Sequence, residues 1–248
     1  MNYDLKKIVE LRKELQGKSI PDILLIAKRE FGDDLAMTTS FGYTGIVLMS
    51  FVKDILPEVP IYFIDTRFHF EETLKLAEKI KKEWKLNIIY ISTQYTEQQL
   101  EEAIGKEAYK TNPDLCCHYR KVEPLLRVLK TKNVWISSIR RDQSITRAEI
   151  DVIEVDGRGT IKINPMYNWT KDQTWLYIKK YDLPYNPLHD QYYPSIGCVP
   201  CTAPVDKGGD ERDGRWRGMQ KLECGIHLYD DEVKNSKEKE KCQPSEKK

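Results

Sequence analysis

The sequence predicts an α/β fold with a largely parallel central sheet. Three observations carry this. Between residues 35 and 138, short apolar runs that read as strands alternate with amphipathic runs that read as helices. The strand-like run 35–40 passes through Phe41-Gly42-Tyr43-Thr44-Gly45 straight into the apolar stretch 46–52, in the order strand, tight turn, buried helix. A second strand-like run, 61–65, ends on Asp65-Thr66-Arg67. In such sheets ligands sit beyond the carboxyl ends of the strands, so the two loops mark one sheet edge as a candidate nucleotide site.

The remaining elements follow in chain order. Leu5, Ile8, Val9, Arg12 and Leu15, then Ile20, Ile23, Leu24, Ala27 and Phe31, repeat at helical spacing and predict two amphipathic helices within residues 1–33. Gly17-Lys18-Ser19 separates them, with Ser19 placed to cap the second and Pro21 in its first turn. The turn at Ser40–Gly45 sets backbone N–H groups at a helix start, where an anion can be held. No Gly-Lys-Ser/Thr follows, so it is not a Walker loop, and a plain strand-to-helix turn accounts for it equally well. A helix is predicted over 70–84 with Phe70, Leu74, Ala77 and Trp84 on one side, then a strand over 87–92 and a helix near 97–104. Residues 118–131 read as a helix despite Pro124, and 133–138 as a strand. After that strand come Arg140, Arg141 and Arg147; guanidinium forks suit phosphate or sulfate, and a solvated basic turn is the plainer alternative. Residues 150–163 read as a hairpin turning at Asp156-Gly157, and 170–182 as a helix capped by Thr170. A Pro- and Tyr-rich loop, Leu183 to His189, then leads to Ser195-Ile196-Gly197-Cys198-Val199-Pro200-Cys201.

Composition narrows the function classes. Forty Lys and Arg against 39 Asp and Glu leave a net charge of +1 on 248 residues. That balance lacks the basic excess of a nucleic-acid binder. No apolar run reaches the roughly 20 residues of a membrane span, and the start, Met1-Asn2-Tyr3-Asp4, is polar. A cytoplasmic protein in a reducing compartment is expected, with neither a membrane nor a nucleic-acid partner. Residues 229–248 are mostly Lys, Glu and Asp and are expected to form a disordered tail carrying Cys242.

Of the 6 cysteines, five form a pattern: Cys116-Cys117, Cys198-x-x-Cys201, and Cys224 in Glu223-Cys224-Gly225-Ile226-His227. In a reducing compartment such thiols point to metal binding or catalysis before disulfides. Two close pairs suit a tetrahedral sulfur-rich site, and zinc stays open beside an iron–sulfur cluster. Adjacent cysteines favour a cluster with several metal corners, because neighbouring side chains diverge. Cys224 stands apart. Arg212 and Arg215 precede it and His227 follows, and nearby positive charge favours the thiolate, the nucleophilic form.

At this point the chain resembles the adenylyl-sulfate/phosphoadenylyl-sulfate reductase family, in its cluster-bearing, assimilatory adenylyl-sulfate branch. The resemblance runs from about Thr38 to Leu228. It rests on Ser40-Phe41-Gly42, Ile64-Asp65-Thr66, Cys116-Cys117 through Arg120-Lys121-Val122-Glu123-Pro124, and Arg140-Arg141-Asp142-Gln143-Ser144. Tyr185-Asn186-Pro187-Leu188-His189, the Cys198/Cys201 pair, Gly214-Arg215-Trp216 and Glu223-Cys224-Gly225 complete it.

The resemblance implies an adenine-nucleotide α-hydrolase-like fold with a modified PP-loop at Ser40–Gly45. It implies a single reductase domain over 1–228, with a catalytic C-terminal segment at 202–228 that is free to swing. It implies one 4Fe-4S cluster on Cys116, Cys117, Cys198 and Cys201. Cys224 would attack the sulfur of adenylyl sulfate, and thioredoxin or a similar dithiol would release sulfite. Lys121, Arg212, Arg215 and His227 match positions at the anionic end of the substrate. Ser40, Phe41, Gly42, Ile64, Asp65, Ser138, Arg140 and Arg147 match substrate-binding positions. A homo-oligomer is compatible with the pattern.

Two positions depart from it: Arg67 and Ser138 stand where the family commonly has Gly, and a solvent-facing Arg67 is expected. Three other readings stand beside this one: a reductase of phosphoadenylyl sulfate or of both nucleotides, a PP-loop ATP-dependent tRNA thiolase, and a zinc-stapled binding module. The thiolase would need a Ser-Gly-Gly-x-Asp-Ser loop, which the chain lacks.

Overall fold

The structure, a computed structural model, describes residues 4–156, 159–219 and 221–226. Helices α1 (Leu5–Leu15) and α2 (Ile20–Phe31) lead, capped by Asp4 and Ser19, whose side chains accept from the N–H of Lys6 and Asp22. On α2 the expected residues Ile20, Ile23, Leu24, Ala27 and Phe31 are the buried ones. On α1 the stripe is Ile8, Leu11 and Leu15, while Leu5 and Val9 face solvent. Leu11 continues the spacing set by Ile8 and Leu15, and Leu5 and Val9 fall to one side of it.

Strand β1 (Leu35–Thr39), helix α3 (Tyr43–Ile55), β2 (Ile61–Asp65), α4 (Glu71–Trp84), β3 (Ile88–Ser92) and α5 (Glu97–Ile104) alternate as expected. On α4 the inward face is Thr73, Leu76, Ala77 and Ile80, and Leu74 is exposed, so the expected face is displaced around the helix. Short helices α6 (Ala108–Thr111) and α7 (Pro113–Cys117) follow, then a π turn (His118–Val122), α8 (Glu123–Leu129), β4 (Val134–Ile136), β5 (Ile153–Val155), β6 (Ile161–Ile163) and α9 (Lys171–Lys180). The helix expected over 118–131 thus starts earlier, at Pro113, and changes register inside. Pro124 has no N–H for the carbonyl of residue 120, and the N–H of Glu123 reaches five residues back to His118 O.

The strands form one sheet in the order β3-β2-β1-β4-β6-β5. Every neighbouring pair is parallel except β5 with β6, which forms the expected hairpin in the register Ile153 to Ile163. The hairpin position Gly157 lies outside the described residues. Helix α3 is apolar nearly all round and packs into the centre, with Ile46, Val47, Leu48, Met49 and Val52 at 0% exposure. Chain order reverses direction between β1 and β4, the topological switch point where sheets of this kind bind ligands. Among the described residues no helix is long and apolar enough to cross a membrane.

Candidate active site

A cavity opens at the carboxyl edge of the sheet, over the β1–β4 switch point. The loop after β1 supplies Ser40 and Gly42, the end of β2 supplies Ile64, and the loop after β4 supplies Ser138. Gly42 caps α3, so the first N–H groups of the buried helix face this space. Gly45 belongs to a close approach: a Cβ there would lie 3.1 Å from Thr39 Oγ1. Phe41 adopts a left-handed φ of 54°, unusual without glycine. That turn drives its ring into the core, edge-on to Phe63 at 5.0 Å, and off the cavity wall. Of the residues expected at the nucleotide, Ser40, Gly42, Ile64, Ser138 and Arg147 line the cavity, whereas Phe41, Asp65 and Arg140 do not.

Those last two brace the loops. Asp65 accepts from the N–H of Arg67 at 2.8 Å. Arg67, with φ at 62°, takes the left-handed place that suits glycine and turns its guanidinium to Glu97 and the carbonyl of Tyr95, both at 3.0 Å. Arg140 is fully buried and donates to Asp142, Thr44, Tyr43 and Glu211. Of the three arginines in this loop, Arg140 and Arg147 are buried and Arg141 alone is exposed.

Five cysteines gather on the opposite side, of which Cys198 and Cys224 line the cavity itself. Asn112 caps α7, which ends on Cys116 and Cys117, and the π turn carries Arg120 and Lys121 on from them. The loop 198–201 is tied by Cys201 N–H to Cys198 O at 2.9 Å and by Val199 N–H to Phe68 O at 2.7 Å. Cys198 Sγ donates to Thr66 Oγ1 at 3.3 Å. Cys116, Cys117, Cys198 and Cys201 are all buried free thiols, and Trp216 packs on the second pair. Burial pushes the thiols of Cys116 and Cys201 up. Among the described residues no three His, Cys, Asp or Glu side chains converge on a single-ion position.

Cys224 reaches the same place from the C-terminal segment, packing against Cys198, Cys201 and Trp216. A hydrogen bond from Cys117 outweighs burial and, with the Lys121 charge, holds Cys224 well below the ordinary thiol range. The same bond, joined by burial, pushes Cys117 up. Burial works against the Lys121 ammonium, but the sulfurs of Cys198, Cys224 and Cys117 outweigh it and push its pKa up. Lys121, Arg212 and Arg215 all line the cavity. Arg215 lies over the Trp216 ring, 4.6 Å from its centre, and donates to Cys201 O at 3.3 Å. Burial, with Arg147 alongside, lowers Arg212 to about 10. His227, Cys242 and the charged run 229–248 lie outside the described residues.

Several contributors were not singled out from sequence. Glu223 pairs with Arg147 and Arg212, Glu211 pairs with Arg140, and Lys221 pairs with Asp114 at the start of α7. His189 lines the cavity and gives its Nδ1–H to Tyr193 O at 2.7 Å, which leaves Nε2 an acceptor. An acidic residue beside a candidate nucleophile was the visible signal for Glu223; its arginine partners lie too far along the chain to be inferred.

Comparison with known proteins agrees with this arrangement. Residues 34–204 match the phosphoadenosine phosphosulfate reductase domain family. An adenosine 5'-phosphosulfate reductase of Halalkalibacterium halodurans is 41% identical over 222 residues, covering 89% of this chain and 96% of that protein. A phosphoadenosine 5'-phosphosulfate reductase of Gloeobacter violaceus is 42% identical over 231 residues, covering 92% and 96%. The crystal structure of the phosphoadenylyl-sulfate reductase of Candida auris in its phosphate complex superposes with a TM-score of 0.72 at 31% identity, over 82% of this chain and 99% of that one. With the parallel sheet, the switch-point cavity and a family match spanning most of the sequence, the chain belongs to the phosphoadenosine phosphosulfate reductase domain family.

Proposed function

We propose that the protein reduces adenylyl sulfate to sulfite and AMP in assimilatory sulfate reduction, with Cys224 as the nucleophile. The observation that carries this is the placement of the Cys224 thiol beside Lys121, inside a cavity whose far wall is the strand-end loops. An anionic thiolate must approach an anionic sulfate, and their repulsion is severe away from water. Lys121 and Arg215 supply opposite charge on that path. The nucleotide end falls to Ser40, Gly42, Ile64 and Ser138. By resemblance His227 joins the sulfate end.

The thiolate of Cys224 bonds to the sulfate sulfur, the bond from that sulfur to the bridging oxygen breaks, and AMP departs with the electron pair. Cys224 then carries a sulfonate. A dithiol donor such as thioredoxin attacks the Cys224 sulfur, sulfite leaves, and the donor's second thiol frees Cys224 as the donor is oxidised to a disulfide. Residues 202–228 act as the catalytic segment.

Cys116, Cys117, Cys198 and Cys201 would hold a 4Fe-4S cluster. Four buried free thiols from two segments have the donor chemistry of such a group. When bound, such a cluster would supply negative charge to the site that Lys121 serves. With Cys117 committed as a ligand, the Lys121 charge and the hydrogen bond from Ile226 N–H remain to hold Cys224 as thiolate.

The test is incubation with adenylyl sulfate in the absence of reductant, followed by intact mass and peptide mapping. One sulfonate on Cys224 is expected; an unmodified Cys224 with AMP released would overturn the assignment. The similarity to a relative named for the 3'-phosphorylated nucleotide favours a second reading, activity on phosphoadenylyl sulfate. Parallel kinetics on both nucleotides separate the two, and a strong preference for the phosphorylated one would select the second.

A further inference from the structure

We propose that Glu223 is a positioning residue that locks the Cys224 segment into the cavity, with Arg147 and Arg212 as its anchors. Oε1 of Glu223 accepts from Arg147 Nη2 at 2.9 Å, Arg212 Nη2 at 2.9 Å and the Cys224 N–H at 2.8 Å. Oε2 accepts from Arg147 Nε at 2.8 Å and from the Thr146 hydroxyl at 3.3 Å. A carboxylate offers about four lone-pair sites, so these five donors saturate it. The Glu223 side chain is 5% exposed and that of Arg147 8%. A two-armed guanidinium–carboxylate pair of this kind fixes direction as well as distance.

The anchors explain the placement of Cys224. Arg147 belongs to the loop after β4 and lies 76 residues before Glu223, so the pair ties the C-terminal segment to the strand-end loops. Lys221 ties the same segment to Asp114 of α7, the helix that carries Cys116 and Cys117. Cys224 follows directly, and its own N–H closes back on the Glu223 carboxylate. The nucleophile is thus aimed by a turn whose ends are held from two sides. One carboxylate offsets one of the two guanidinium charges, so the Arg147–Glu223–Arg212 cluster keeps a net positive charge in the cavity that Lys121 and Arg215 also line.

The catalytic consequence rests on Cys224 being the nucleophile; the lock itself does not. Glu223→Gln places amide donors against guanidinium donors and breaks at least one arm. Two readouts, on protein purified anaerobically, are amide hydrogen exchange of the peptide spanning 221–226 and the rate of Cys224 alkylation by iodoacetamide. Both are expected to rise on the order of a hundredfold, since one partner of a buried pair is lost. The kcat should fall about a hundredfold with KM for adenylyl sulfate nearly unchanged. Glu223→Asp keeps the charge on a shorter arm and should fall between the two, which also serves if the Gln variant folds poorly. Wild-type exchange and alkylation rates in both variants would overturn the lock. Full activity of wild-type protein alkylated at Cys224 would instead overturn the nucleophile and leave the lock standing.

Discussion

Arg140 and Glu211 meet in a 2.7 Å ion pair although 71 residues separate them. Arg140 is fully buried and the Glu211 side chain is 8% exposed, so the pair is held out of water where the loop after β4 meets the C-terminal segment. The hydroxyl of Tyr43, on α3, also donates to Glu211 at 2.8 Å. Removing Glu211 leaves the buried Arg140 with the more exposed Asp142 as its remaining carboxylate partner and takes an acceptor from the Tyr43 hydroxyl. Glu211→Ala should therefore lower stability by roughly 2 kcal/mol, read from the urea unfolding midpoint. A loss under about 1 kcal/mol would mean the pair behaves as a surface contact.

Cys224→Ser removes the thiolate and little else. A serine hydroxyl stays protonated at neutral pH, so Lys121 has no sulfur anion to stabilise at that position. Sulfite production is expected to drop on the order of 10⁵-fold. Nucleotide affinity and metal content should stay at wild-type levels, measured by calorimetry and by iron and sulfide assay. Normal sulfite release from this variant would rule out Cys224 as the nucleophile.

Cys198 ties the thiol wall to the sheet edge through Thr66 and through a backbone bridge to His69. Cys198→Ala should strip the metal centre: iron, labile sulfide and visible absorbance should fall together, while far-UV circular dichroism stays close to wild type because the sheet core does not include the thiols. Stoichiometric zinc without iron or sulfide in the wild-type protein would replace the cluster with a zinc site.

Local rules made much of this legible in the sequence. Strand β2 falls where its apolar run placed it, and helices α2 and α9 start after the expected caps Ser19 and Thr170, because these signals lie within a few residues. What was illegible depends on contacts between distant segments. Nothing in the spacing links Glu223 to Arg147 or Glu211 to Arg140, since each pair is made by the topology that brings the C-terminal segment over the strand ends. The inward ring of Phe41 follows from one left-handed residue, and the register change after Cys117 follows from Pro124 acting on a helix read as continuous.

His189 couples the site to pH. Burial lowers its pKa to about 4, outweighing the hydrogen bond to Tyr193 O. The imidazole is therefore neutral in the fold across a range in which the unfolded chain, near 6.5, takes up a proton. Stability is unaffected above that value, declines as pH falls from about 6.5 to about 4, and levels off below, a total of up to about 3 kcal/mol from this residue. His189→Asn keeps a donor for Tyr193 O and cannot titrate. The stability of the wild type relative to this variant should shrink across that window; a constant difference would show that His189 titrates in the fold as it does in the unfolded chain.

Gly197 makes the last test, because its effect should separate affinity from stability. A Cβ at Gly197 would lie 2.3 Å from Arg215 Nη2 and 2.5 Å from Nη1. The backbone there is not left-handed, so the glycine serves space and not conformation. The colliding atoms are the end of a flexible side chain, which can swing away at little cost to the fold. Gly197→Ala should thus change the melting temperature little, an effect under about 1 kcal/mol. The displaced guanidinium, however, lines the cavity and is proposed above to meet the sulfate. Losing a charge-assisted hydrogen bond there predicts KM for adenylyl sulfate higher by roughly tenfold to a hundredfold. If KM stays put while the protein melts early, the glycine is protecting the loop and Arg215 is not a substrate contact.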